Sequence, residues 1–210
     1  MIVEYYRSDQ GQNRKVIKAM NIAIILEAAG NSIRYGSNKL LHKMEDGKPM
    51  ICRILKAAGS QTVFRKILVT QYDEAARLAV GFDVVMNNEP ELGISHSMQL
   101  GIEAAGNADA YMFCVCDQPW LTSATIKKLL DTFETCGRGI VSLSWNGRMS
   151  NPKIFSSRYR DELMNLSGDT GGRQIIASHS DDLLLVEAAD EIETIDIDTN
   201  ESLELQRRTE

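Results

Sequence analysis

Between residues 28 and 39 the chain reads Ala-Ala-Gly-Asn-Ser-Ile-Arg-Tyr-Gly-Ser-Asn-Lys. The small residues Ala28, Ala29, Gly30 and Ser32 let backbone approach a ligand, and successive N–H groups can cradle a phosphate. Arg34 and Lys39 add two cations to the same stretch. The chemistry this suggests is phosphate binding; the alternative is an ordinary Gly/Ser turn carrying solvated charges. It is neither a Walker loop nor a G-x-G-x-x-G turn, since five residues separate Gly30 from Gly36 and no lysine follows Gly36. Asp117 opens an Asp-Gln-Pro triplet directly after the apolar run Ala110–Cys116. A carboxylate facing a phosphate loop suits Mg²⁺, which takes one or two carboxylates and leaves other positions to substrate phosphates. Taken alone, Asp117 equally suits a turn or a helix cap. Near the far end of the chain Asp196 and Asp198 are two apart, so in an extended segment they project to one face. Either could be a second Mg²⁺ ligand, or both could mark a surface strand end followed by Thr199 as a cap.

These residues need elements to position them. Ile22–Leu26 is a short continuous apolar run feeding the first loop, the pattern of a strand buried on both faces. Pro49 opens a helical pattern with Ile51, Ile54, Leu55 and Ala58 on one stripe and Gly59 at its end. Strands are expected at 66–70, 83–86, 110–116, 140–145, 183–187 and 193–198. Helices are expected at 73–79, 97–105, from Thr122 or Ser123 to about 135, from Ser157 to about 166, at 171–178 and from Glu201. Strands alternate with helices throughout, which predicts an α/β three-layer architecture around a mostly parallel sheet. In such sheets ligands bind beyond the carboxyl ends of the strands, where the first loop and Asp117 both fall. The expected organisation is an extension over residues 1–20, loosely ordered or packed on a partner, and one domain over residues 21–210.

Composition bounds the partners. The chain has 210 residues, 43% hydrophobic and 25% charged, with 29 acidic against 23 basic residues for a net charge of −6. That is ordinary globular usage, and an acidic surface does not favour nucleic acid. No run of about 18 apolar residues is present to span a membrane. Residues 1–20 lack the apolar stretch of a signal peptide, so a cytoplasmic location is expected. The four cysteines form no C-x-x-C pair and read as reduced core thiols.

Five pieces in order carry a family resemblance: Ala28–Lys39, Asn87–Ser97, Asp117–Pro119, Ser167–Arg173 (Ser-Gly-Asp-Thr-Gly-Gly-Arg) and Asp196–Thr199 (Asp-Ile-Asp-Thr). Together, over about residues 22–207, they resemble the MobA-like nucleotidyltransferases, most closely the molybdenum cofactor cytidylyltransferase branch. The resemblance implies a Rossmann-like nucleotidyltransferase fold that joins CMP from CTP to a molybdopterin phosphate and releases pyrophosphate. It implies that Ala28, Ala29, Gly30, Ser32, Arg34 and Lys39 wrap the triphosphate, with Gly93 and Ser97 near the base. Asp117 would hold Mg²⁺ with Asp198 as the second ligand, and Gly168, Asp169 and Arg173 would lie on the pterin side. Arg34, Lys39 and Asp117 would carry catalysis, and a molybdenum hydroxylase is a candidate partner. The alternatives are a GTP-using or sugar-phosphate nucleotidyltransferase of the same fold, or a non-catalytic protein that binds molybdenum cofactor and hands it on. Three residues depart from the family pattern: Glu27 stands where leucine is usual, Cys116 where the cytidylyl branch has glycine, and Asn151 where histidine is common before Pro152.

Overall fold

The computed structural model describes residues 2–7, 13–18, 20–30 and 38–197, the first two stretches as backbone only. Strands β1 (Ile2–Arg7) and β2 (Asn13–Lys18) pair antiparallel, from Ile2 opposite Lys18 to Arg7 opposite Asn13, in a sheet of their own. Within the expected extension, residues 2–7 and 13–18 are therefore a pair of strands. Val3, Tyr5 and Tyr6 of β1 and Val16 and Ile17 of β2 supply the β-branched and aromatic residues that favour that state.

The apolar run at residue 22 becomes β3 (Ile22–Ala28), an interior strand of a seven-stranded sheet. It is followed by α1 (Ile51–Gly59), β4 (Arg65–Thr70), α2 (Asp73–Leu78), β5 (Asp83–Met86), α3 (Ile94–Ala105) and β6 (Ala110–Val115). Then come α4 (Ser123–Cys136), β7 (Ile140–Trp145), β8 (Arg148–Ser156), α5 (Arg160–Met164), α6 (Arg173–Ser178) and β9 (Leu183–Glu187). The strand order is β5-β4-β3-β6-β8-β7-β9. Only the pairings made by β8, to β6 and to β7, are antiparallel. Both faces are covered, as a mostly parallel sheet requires. Ile24, Leu26, Met112, Cys114 and Ile154 pack with α1 and α4, while Ile25, Ile67, Val69, Phe113 and Phe155 pack with α3, α5 and α6. Cys114 and Cys116 are buried, Cys52 and Cys136 half-buried, and all four are free.

Two expectations change. The first is β8, which the strand reading lacked. Its turn residues Asn146 and Gly147 have φ of 49° and 74°, the left-handed pair a two-residue hairpin needs, and the Glu187 carboxylate accepts both of their N–H groups at 3.1 and 2.9 Å. The second is the segment from Glu193, expected as a strand. Glu191–Thr194 is instead a 3-10 turn, and residues 195–197 follow in irregular backbone. Glu193 explains the difference. It is 2% exposed and its carboxylate accepts from the Thr122 amide, the Thr122 and Thr125 hydroxyls and the Ala189 amide. That carboxylate ties the segment to the start of α4 rather than to a strand edge. No described helix is long and apolar enough to cross a membrane.

Candidate active site

Parallel pairing sets the site. Glu27 of β3 lies opposite Val69 of β4 and Val115 of β6, so the chain leaves β3 at Ala28 and β6 at Cys116 along the same edge. The first three loop carbonyls are held from the side of β4 and α2. Ala28 accepts from the Thr70 hydroxyl at 3.1 Å, Ala29 from the Gln71 amide at 2.7 Å and Gly30 from the Tyr72 hydroxyl at 2.8 Å. Ser32 and Arg34 fall outside the described residues.

Lys39 opens a 3-10 turn capped by Asn38, whose side chain accepts from the Leu40 amide at 3.1 Å. This directs the Lys39 ammonium onto Asp117, with Nζ 2.7 Å from Oδ2 and both side chains partly buried. The other oxygen, Asp117 Oδ1, is buried with no hydrogen-bond partner among the described residues. A buried carboxylate oxygen left open is costly, and a cation bound there would satisfy it. No group of three or more His, Cys, Asp or Glu side chains among the described residues could hold a metal by itself. One carboxylate beside the loop expected to cradle phosphate still suits Mg²⁺, which draws its remaining ligands from substrate phosphates and water.

The chain returns to this place a third time. The Ile197 amide donates to the Asp117 carbonyl at 2.9 Å, and Gln118, 2% exposed, donates from Nε2 to Asp196 Oδ1 at 2.8 Å. Asp196 is thus held beside Gln118, and Asp198 lies outside the described residues. Across the edge, buried Asn87 donates to the Ser97 hydroxyl at 3.1 Å. Gly93, at φ 86° and ψ −176°, enters α3 where a Cβ would stand 2.3 Å from the Gly168 carbonyl carbon. The Ser95 amide donates to the Gly168 carbonyl at 3.2 Å. Gly93 and Ser97 are in this way joined to Gly168 and exposed Asp169, and Arg173 follows, exposed, as the first residue of α6.

Two charged residues beneath this edge carry the clearest electrostatic strain. Burial pushes the Glu27 carboxyl up to about 8, with nearby Lys153 opposing the rise and Asp117 adding to it. Its Oε1 is buried and without a hydrogen bond among the described residues. Lys153, 8% exposed, is pulled down to about 8 by burial and by Arg173, while Glu27 and Asp196 oppose the fall. Sequence reasoning singled out Glu27 but passed over Lys153, because β8 was not recognised and a lysine in a loop has nothing to report.

The MobA-like NTP transferase domain family matches residues 23–183. The purine catabolism protein PucB of Bacillus subtilis strain 168 is 27% identical over 195 residues, covering 86% of this chain and 93% of its own. Among solved structures, a nucleotidyl transferase from Methanothermobacter aligns with a TM-score of 0.77 at 24% identity, covering 91% of this chain and 97% of that one. The Rv0371c protein of Mycobacterium tuberculosis H37Rv, solved as a manganese complex, aligns with a TM-score of 0.72 at 23% identity over 90% of this chain and 97% of that one. Both likenesses are likenesses of fold. With the family match spanning the first loop, the Lys39–Asp117 contact and the strands that place them, the chain belongs to the MobA-like NTP transferase domain family and is a nucleotidyltransferase of that fold.

Proposed function

We propose that the chain transfers CMP from CTP to the phosphate of a molybdopterin-type acceptor, releasing pyrophosphate, in a Mg²⁺-dependent reaction. The observation that carries the transfer chemistry is the Lys39–Asp117 contact at 2.7 Å with Asp117 Oδ1 left open beside it. A phosphate oxygen of the acceptor attacks the α-phosphorus of CTP, one P–O bond forms and the bond to pyrophosphate breaks. Attacking and leaving groups are both anions, so positioning and charge neutralisation do most of the work. Lys39 and Arg34 neutralise the triphosphate, and the backbone of Ala28, Ala29, Gly30 and Ser32 cradles it. Asp117 and Asp198 would hold Mg²⁺, which supplies charge neutralisation at the reacting phosphates.

Ala29, 5% exposed, narrows the space for a purine, and backbone groups near Ala28 together with Ser97 and Gly93 read the cytosine edge. Gly168, Asp169 and Arg173 face the acceptor. The name of the Bacillus relative sets that protein in purine catabolism, and we extend the setting to this chain, with a molybdenum hydroxylase as recipient of the product. Residues 21–210 act as one catalytic domain, in the cytoplasm, with residues 1–20 as an extension. The test is pyrophosphate release with each of the four nucleoside triphosphates, with and without molybdopterin. Release with CTP that depends on the acceptor is expected. Release with GTP instead, or binding of molybdopterin with no release at all, overturns the reading.

A further inference from the structure

Lys153 lies on the sheet face otherwise lined by Ile25, Phe113 and Phe155. It pairs with Phe113 of β6, which pairs in turn with Ile25 of β3, so Glu27 is one pleat further toward the site edge. A lysine 8% exposed in such a place needs partners for three N–H donors. Among the described residues it has one acceptor, the Asn151 side-chain oxygen at 2.6 Å. That acceptor is a neutral amide rather than a carboxylate, while Glu27 and Asp196 favour the charged lysine from nearby.

A second cation is brought toward it by packing. A Cβ on Gly172 would meet the Phe155 ring at 2.4 Å, so the start of α6 is seated on β8 two residues from Lys153. Arg173 follows at once and is close enough to depress the protonation of Lys153. Two cations that repel, one of them with donors to spare, are what an anion would relieve.

We propose that Lys153 and Arg173 form the anion subsite that receives the phosphate group of the acceptor, with Lys153 Nζ donating directly to its oxygens. This rests on the nucleotidyl-transfer reading above and adds to it a residue that holds the attacking group. Asn151 orients the ammonium.

The test is isothermal titration of inorganic phosphate into the full chain and into Lys153→Met, Arg173→Ala and, as a control, Lys127→Ala, whose ammonium is exposed on α4. Loss of one charge-assisted contact is expected to weaken phosphate binding about 10- to 100-fold in Lys153→Met. Arg173→Ala should weaken it in the same direction, and Lys127→Ala should leave it within about threefold. Arg173 is exposed, so its variant folds even if Lys153→Met does not. Full phosphate affinity in Arg173→Ala together with an unfolded Lys153→Met, unchanged affinity in a folded Lys153→Met, or an equal loss in Lys127→Ala overturns the proposal. Steady-state kinetics separate the two readings. A raised acceptor KM with an unchanged nucleotide KM in Lys153→Met supports the subsite. Normal transfer with an unchanged acceptor KM removes the subsite and keeps the function. Phosphate binding that needs Lys153 in a protein that transfers no nucleotide keeps the subsite and removes the function.

Discussion

Glu27→Gln offers a direct test of the electrostatics beneath the site. The folded chain holds the Glu27 proton up to about pH 8, against 4.5 for an ordinary glutamate. Between those values the folded state binds a proton that the unfolded state has released, so stability falls as pH rises through the window. Below pH 4.5 both states are protonated and the term vanishes; above 8 both are ionised and the penalty is at its full size. At about 1.4 kcal/mol per pH unit the ceiling is about 5 kcal/mol. The side chain is half-buried rather than sealed, and screening reduces the expected value to about 2 kcal/mol. Glutamine keeps the shape and hydrogen-bonding character of the protonated acid and cannot ionise. The melting temperature of Glu27→Gln should therefore gain on the wild type by about 4–8 °C between pH 5 and pH 8, at about 2–4 °C per kcal/mol for a chain of this size. Differential scanning calorimetry of both proteins across that range, in metal-free buffer, is the measurement. A difference that stays flat with pH would show that Glu27 ionises at its ordinary value, and the account of the buried acid would be wrong.

Asp117→Ala should fold and lose about 10²- to 10³-fold in turnover at saturating Mg²⁺; near-normal turnover would make Asp117 a turn residue. Lys39→Ala should raise the nucleotide Kd and also lower the melting temperature by about 2–4 °C, because it leaves partly buried Asp117 without its ion pair; normal nucleotide affinity would remove Lys39 from the site. Gly93→Ala should cost about 2–4 kcal/mol in urea unfolding, since alanine at φ 86° places its methyl on the Gly168 backbone; a cost under about 0.5 kcal/mol would refute that contact. In competition between equal CTP and GTP with molybdopterin as acceptor, CTP should win by at least about 10² in kcat/KM, and a mainly guanine product would sink the cytidylyl assignment.

The alternating strands and helices were legible because their signals are local. Ile140–Trp145, Asp83–Met86 and Leu183–Glu187 appear with the expected bounds, and Thr122 caps α4 by accepting from the Thr125 amide. What was hidden depended on contacts distant in sequence. The signal for β8 was present in Asn146-Gly147, a hairpin pair between two apolar runs, but Arg148-Met149-Ser150-Asn151-Pro152 lacks the alternation that marks a strand. The segment from Glu193 reads as strand by composition, and only the partners of the buried Glu193 carboxylate, some 70 positions away, exclude it. In the site, Lys39 and Asp117 were singled out separately; their contact spans 78 positions and follows from strand order.

The fold also answers a difficulty raised by the sequence alone. An acid one residue before the loop proposed to hold the triphosphate should repel the nucleotide, and Glu27 stands there. Strand pairing turns its side chain toward the face packed by α3 rather than into the loop, since it follows Ile25 by two and shares that residue's face. Burial then keeps the carboxyl protonated to about pH 8, and Lys153 beside it is held to about the same value from the opposite side. Near neutral pH burial favours the protonated acid, so Glu27 adds little negative charge beside Lys153. Raising the pH past 8 favours ionised Glu27 and neutral Lys153, each change opposed by the other group's charge. With Lys153 in the anion subsite proposed above, both changes weaken anion binding above pH 8. Glu27→Gln and Lys153→Met should therefore each blunt the fall in phosphate affinity between pH 7 and pH 9.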